Sequence, residues 1–219
     1  MKRLGIDIGS LYLGSVLLEE GGVVEVHYLE HNGDVRGVVS ELLKKERYQD
    51  FEAIGVTGNF PEQEKGTFDN TLSVIEGTRF LLPGCQNVFM IGGQTFFLLR
   101  FDENGKYREH TINPPCAAGT GSFIEQQAKR LGISVLDLAH FACEHPGKAP
   151  VIATRCSVFA KTDIIHAMQE GHSLEAICCG LCEGITRNIL DTLVKGRKIT
   201  SPVGVVGGEI GRASCRERV

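Results

Sequence analysis

The chain has 219 residues, of which 42% are hydrophobic, and a formal net charge of −4. That is enough to build one large domain or two small lobes with proper cores. The acidic balance, with no basic run interleaved with aromatics, excludes a nucleic-acid surface. No run of about 20 uncharged apolar residues offers a membrane span, and the start Met1-Lys2-Arg3-Leu4-Gly5-Ile6-Asp7 meets an acid too early for a secretion signal. The eight cysteines are therefore expected in a reducing cytoplasm, as free, catalytic or metal-bound thiols.

Lys2 to Ile8 reads as a strand running into the tight turn Asp7-Ile8-Gly9-Ser10, followed by strands over Leu11 to Glu19 and Val23 to Leu29 with a hairpin between them. Val35, Val38, Val39, Leu42 and Leu43 have helical spacing, so a helix is expected over Asp34 to Glu46. Phe51 to Thr57 reads as a buried strand closed by Thr57-Gly58-Asn59, and Thr71 to Leu81 as a helix. The order β-β-β-α-β-α predicts an α/β lobe with a mixed sheet.

The second half begins the same series again. Asn87 to Ile91 ends in Gly92-Gly93, Phe96 to Asp102 is its hairpin mate, and Tyr107 to Ile112 forms a third strand before Pro114-Pro115. Helices follow over Gly121 to Leu131, Ser134 to Ala142, Ser157 to Glu170 and Ser173 to Lys195, then a short strand Val203 to Val206 ends in Gly207-Gly208. The halves are expected as lobes over 1–85 and 86–208. Residues 209–219, arginine-rich over Ile210 to Val219, read as a sequencing adaptor in translation, with a solvated basic tail as the plainer alternative. On the first of these readings the natural chain continues past Gly208.

Three strand-then-glycine turns recur, at Gly9-Ser10-Leu11, Gly92-Gly93-Gln94 and Gly207-Gly208. Glycine lets backbone approach a phosphate, and consecutive N–H groups there form an anion-binding concavity. An acid at a strand end, here Asp7, holds Mg²⁺ through water. Facing one cleft, three such turns hold the two ends of a nucleotide, although any one alone is also an ordinary β-turn.

The run Cys116-Ala117-Ala118-Gly119-Thr120-Gly121 sets one thiol before a glycine-rich helix start, where unpartnered amides favour a thiolate or a thiolate-bound metal cluster. Cys156 likewise precedes a helix. Two such cysteines are half of a four-thiolate site, which points to a dimer. Cys179 and Cys182 have C-x-x-C spacing but lie in a helical run, where the buried hydrophobe reading competes with a redox or metal pair. Cys85 and Cys143 read as unpaired core or surface thiols, and His166 is a candidate neighbour of the cluster.

From about Leu4 to Gly208, read with the segments Cys116 to Phe123 and Cys156 to Ala160, the chain resembles the ATP-dependent activators (activases) of 2-hydroxyacyl-CoA dehydratases and benzoyl-CoA reductase. That resemblance implies the ribonuclease H-like fold of the actin, Hsp70 and sugar-kinase ATPases, two lobes around a nucleotide cleft and here truncated at the C-terminus. It implies a homodimer sharing one [4Fe–4S] cluster, with Cys116 and Cys156 matching the ligands from each subunit. Asp7, Gly9 and Ser10 match the family's first phosphate motif, and Thr57-Gly58 a further turn. Gly119, Thr120 and Gly121 would link cleft to cluster. The second phosphate motif usually carries an acid on either side, whereas this chain has Met90-Ile91-Gly92-Gly93-Gln94-Thr95. Met90 and the prolines before Cys116 also resemble the first domain of long multi-domain relatives.

The function implied is ATP-gated delivery of an electron, with Mg²⁺, from the cluster to a dehydratase or reductase component. A ferredoxin- or flavodoxin-like donor would reload it. The alternative is a nucleotide-binding scaffold or regulatory domain that does not hydrolyse ATP, since Met90 and Thr95 stand where acids are usual. A small-molecule kinase of the same superfamily leaves Cys116 unexplained.

Overall fold

The computed structural model describes residues 1–48, 50–58, 66–114 and 121–208, within two compact units, Met1–Leu81 and Leu82–Val219. In the first, β1 (Lys2–Ile8), β2 (Tyr12–Glu19) and β3 (Gly22–Glu30) form an antiparallel meander. Strand β4 (Ala53–Gly58) joins β1 in parallel, giving the order β3-β2-β1-β4. Glu20 and Gly21 supply the two left-handed positions, φ 50° and 84°, that a tight hairpin needs.

Leu4, Ile6 and Ile8 alternate along β1 and are buried. Their face takes Leu42 of α1 (Val35–Lys44) and Tyr48 of the following 3₁₀ turn. Helix α1 starts where it does because the Asp34 carboxylate accepts the Gly37 N–H at 2.9 Å, satisfying an amide the helix leaves free. Helix α2 (Asn70–Leu81) completes the unit and buries Ile75 and Thr78.

The second unit repeats the sheet. Strands β5 (Asn87–Ile91), β6 (Phe96–Phe101), β7 (Tyr107–Ile112) and β8 (Val203–Val206) take the order β7-β6-β5-β8, with β5 and β8 parallel. Between β7 and β8 run α3 (Gly121–Leu131), α4 (Val135–Glu144), α5 (Ser157–Gln169) and α6 (Leu174–Leu193). Ile189 and Leu193 of α6 pack on Phe89, Phe96 and Leu98 of the sheet. The first half of α6, through Ile177, Cys178 and Leu181, shares a core with Phe123, Leu138, Ala160 and Ile164. A capping box of Ser134 with Asp137 opens α4, and Ser173 caps α6.

The expected elements are present, with ends moved by a residue or two, but β4, expected as a buried strand, has only exposed and half-buried residues. The pairing registers superimpose one sheet on the other: Asp7 faces Gly14 and Thr57, and Met90 faces Phe97 and Val206. Asp7 thus maps onto Met90, Gly9 onto Gly92 and Tyr12 onto Thr95. Among the described residues no helix is long and apolar enough to cross a membrane.

Candidate functional site

The turns after β1 and β5 are the same structure. Gly9 N–H donates to the Tyr12 carbonyl at 2.9 Å, and Gly92 N–H to the Thr95 carbonyl at 2.9 Å. A Cβ on Gly9 would stand 2.9 Å from the Tyr12 oxygen, and one on Gly92 3.1 Å from the Thr95 oxygen. The first of these approaches admits only glycine. Gly207 is of another kind. It continues β8 beside the end of β5 with φ 125°, as Gly58 closes β4 beside the end of β1 with φ 105°. In both, a Cβ would run into the neighbouring strand's last residue, Ile91 or Ile8. The three similar turns of the sequence are therefore members of two pairs, Gly9 with Gly92 and Gly58 with Gly207. Each unit carries one member of each pair at the carboxyl ends of its parallel strands, the usual ligand edge of such sheets.

Ser10 and Leu11 lie in the first turn, Gly93 and Gln94 in the second, and Gly208 directly follows Gly207. Asp7 sits at the end of β1, open to solvent, yet desolvation by the protein around it raises its carboxyl pKa above the ordinary 3.8. An acid held in that state gains from an arriving cation. Its counterpart Met90 brings no charge to the second turn.

Helix α3 begins against that second turn. The Gly121 N–H donates to the Gly92 carbonyl at 3.3 Å and the Ser122 N–H to the Gly93 carbonyl at 2.8 Å. These two amides, expected as bare anion donors, instead brace the glycine turn. Cys116, Gly119 and Thr120 lie outside the described residues, as does Asn59.

Cys156 is a free, half-buried thiol at the N-cap of α5. No side-chain cap hydrogen bond closes, but the amides of Phe159 and Val158 lie near enough to the sulfur to hold its pKa below the usual thiol value. The segment bearing it is fixed from three helices. Asp163 of α5 accepts the Ala153 N–H at 2.8 Å, Asn188 of α6 accepts Arg155 Nε at 2.7 Å, and Arg130 of α3 donates to the Ser157 carbonyl at 2.9 Å. Gly180 and Gly184 let the preceding strand of chain lie on α6: a Cβ at Gly184 would stand 2.6 Å from Thr154 Cγ2 and 2.9 Å from the Ile152 oxygen. Val158 and Phe159, beside the thiol, are 68% and 65% exposed. Sequence reading missed Arg130, Asp163 and Asn188, whose partners are distant in the chain. The Gly180-Leu181-Cys182-Glu183-Gly184 spacing was a visible sign of close approach.

The remaining thiols are of another character. Burial pushes Cys178 up to about 12 and Cys182 up to about 11, and it also raises Cys179. Cys178 packs in the helical core and Cys182 against it, in keeping with the buried hydrophobe reading for Cys182, whereas Cys179 stands outside that core with its thiol turned to Glu183. Cys143 is disulfide-bonded, which corrects the expectation of an unpaired thiol. His166 lies ten residues beyond Cys156 along α5, about 15 Å at the rise of a helix. Within one chain it is no neighbour of that thiol. Among the described residues no group of three or more His, Cys, Asp or Glu gathers as a metal site.

A family model described as the BadF/BadG/BcrA/BcrD ATPase family matches residues 4–219. A 2-hydroxyisocaproyl-CoA dehydratase activator of Clostridioides difficile is 28% identical, over 99% of this chain and 86% of its own length. An activator of lactoyl-CoA dehydratase from Anaerotignum propionicum is 30% identical, over 83% of this chain and 73% of its own. The solved activator of the 2-hydroxyisocaproyl-CoA dehydratase from Clostridium difficile, with bound ADPNP, aligns with a TM-score of 0.84 at 27% identity. That alignment covers 97% of this chain and 82% of that one. The fold is the actin-like ATPase fold, met also in sugar kinases. The chain belongs to the BadF/BadG/BcrA/BcrD ATPase family.

Proposed function

We propose that this chain is an ATP-dependent activator of the 2-hydroxyacyl-CoA dehydratase or benzoyl-CoA reductase type, passing an electron to that partner from a cluster shared between two copies. The observation that carries it lies in the second unit. Helix α3 is bonded at its start to the glycine turn and at its end, through Arg130, to the first residue after Cys156. One rigid element thus joins a phosphate-type turn to a candidate ligand thiol. Asp7 would organise Mg²⁺, and Gly9, Ser10, Leu11, Gly92, Gly93, Gln94, Gly207 and Gly208 would contact the nucleotide. Cys156 fits a thiolate ligand because it is free, partly exposed and lowered in pKa; Cys116 would be its companion. When bound, a [4Fe–4S] cluster supplies the one-electron carrier. Exposed Val158 and Phe159 offer apolar surface for the second copy.

Protein purified without oxygen from the complete gene is expected to carry about four iron and four acid-labile sulfide per dimer. Cys116→Ala and Cys156→Ala should each abolish its visible absorbance. A colourless monomer rejects the function, and retained colour in either variant rejects the ligands.

A second reading has its own support: Met90 and Thr95 leave the second turn without an acid, which favours a nucleotide-responsive scaffold that does not hydrolyse ATP. Anaerobic ATPase assays with and without Thr95→Asp separate the two. Turnover in the unaltered protein removes the scaffold reading.

A further inference from the structure

His31 belongs to none of the motifs above. It follows β3 and is only 7% exposed. Its Nδ1 accepts the Gly33 N–H at 3.1 Å, and its Nε2 lies 3.2 Å from the Gly9 carbonyl oxygen. An amide only donates and a carbonyl only accepts, so both bonds close in a single state, the neutral ring with its proton on Nε2. The backbone of His31 is held as well: its N–H donates to the Leu11 carbonyl at 3.2 Å, and its carbonyl accepts the N–H of Asp34, the α1 cap, at 2.7 Å. The ring is fixed to the frame on one side and grips the turn on the other.

That grip decides where the next amide faces. In a planar trans peptide the C=O and N–H point in opposite directions, and the Gly9–Ser10 bond is not among the cis bonds. With the Gly9 oxygen drawn to His31, the Ser10 N–H is turned away from the ring. It closes no backbone hydrogen bond among the described residues. The second unit gives an independent parallel. There the counterpart carbonyl, Gly92, is held by the Gly121 N–H at 3.3 Å. Two unrelated donors, an imidazole and a helix start, restrain the same carbonyl in the two repeats. Left free, that oxygen could swing toward an incoming anion and repel it; held back, it leaves an N–H in front.

We infer that His31 is a positioning residue of the first turn, whose Nε2–H holds the Gly9 carbonyl back and so presents the Ser10 N–H to a nucleotide phosphate. This rests on the nucleotide reading above. In the full-length protein, His31→Leu removes the donor at similar volume. It should weaken Mg²⁺–ATP binding about tenfold, the worth of one amide–phosphate hydrogen bond. His31→Gln, whose amide nitrogen reaches toward the Nε2 position, should restore most of that affinity. The Ser10 amide resonance should move on adding ATP in the wild type and the Gln variant, and stay in place in the Leu variant. Nitrogen-15 spectra of the unaltered protein should show Nδ1 unprotonated, a measurement that holds even if the Leu variant fails to fold. Wild-type protein indifferent to ATP overturns the nucleotide reading and this one together. Wild-type binding with unchanged affinity in His31→Leu, an unmoved Ser10 amide, or a proton on Nδ1 overturns this inference alone.

Discussion

Replacing Gly184 by alanine puts one methyl group between α6 and the chain leading to Cys156. The new carbon would stand 2.6 Å from Thr154 Cγ2 and 2.9 Å from the Ile152 oxygen, and both residues are buried, at 6% and 3% exposure. Ordinary contact needs separations of about 3.5 Å or more, so the segment must retreat by roughly half an ångström to an ångström. Overpacking of that kind costs about 1–3 kcal/mol, against a helix-propensity gain near 1 kcal/mol. The net loss is about 0–2 kcal/mol, which in a chain of this size lowers Tm by up to roughly 8 °C. Gly77 of α2 is the control: nothing lies within 4 Å of its added Cβ. Gly77→Ala should therefore keep the propensity gain and raise Tm by about 2–4 °C. The assay is thermal unfolding of both variants beside the parent, with Cys156 alkylation rates read on the same samples. If Gly184→Ala raised Tm as Gly77→Ala does, the close packing of 150–154 on α6 would be refuted.

Iodoacetamide should label Cys156 first and at lower pH than an ordinary thiol, with Cys178 and Cys182 silent until the chain unfolds; mass mapping across pH checks the order. The same raised thiols bear on stability. Above about pH 9 the unfolded chain loses protons that folded Cys178 and Cys182 keep, so stability should fall as pH rises, and Cys182→Ala should flatten that fall in denaturant titrations. Mg²⁺-dependent nucleotide affinity should fade on acidification at a higher pH than a free aspartate would dictate, because Asp7 is raised; Asp7→Asn should show no such titration. Asp163→Ala strands the Ala153 amide and should cost about 1–3 kcal/mol in denaturant unfolding, where an unchanged midpoint would deny that bond its role.

The α/β class, the repeated half and most element ends were legible because local rules set them. Asp34, Ser134 and Ser173 cap their helices as short polar residues do, and Val35 to Leu43 carry the helical period. Asp7 and the Gly9 and Gly92 turns were legible for a related reason: a strand running into glycine states its own geometry. What could not be read was which glycines correspond. Gly207 looks like Gly92 in the chain, but only the parallel pairing of β8 with β5 reveals it as the partner of Gly58. The supports of Cys156 were hidden for the same reason. Arg130, Asp163 and Asn188 reach it across turns of chain that no periodicity encodes. The Gly121 and Ser122 amides looked free until the carbonyls of Gly92 and Gly93 were seen to occupy them.

An α-helix resists stretching far more than a loop does, and α3 is a rod of eleven residues, about 16 Å long, pinned at both extremities. Any stroke of the second glycine loop must therefore either arrive at Ser157 nearly undiminished or rupture the pins, the Gly121 and Ser122 amides at one end and the Arg130 guanidinium at the other. The protein thus contains a mechanical strut whose failure points can be named in advance.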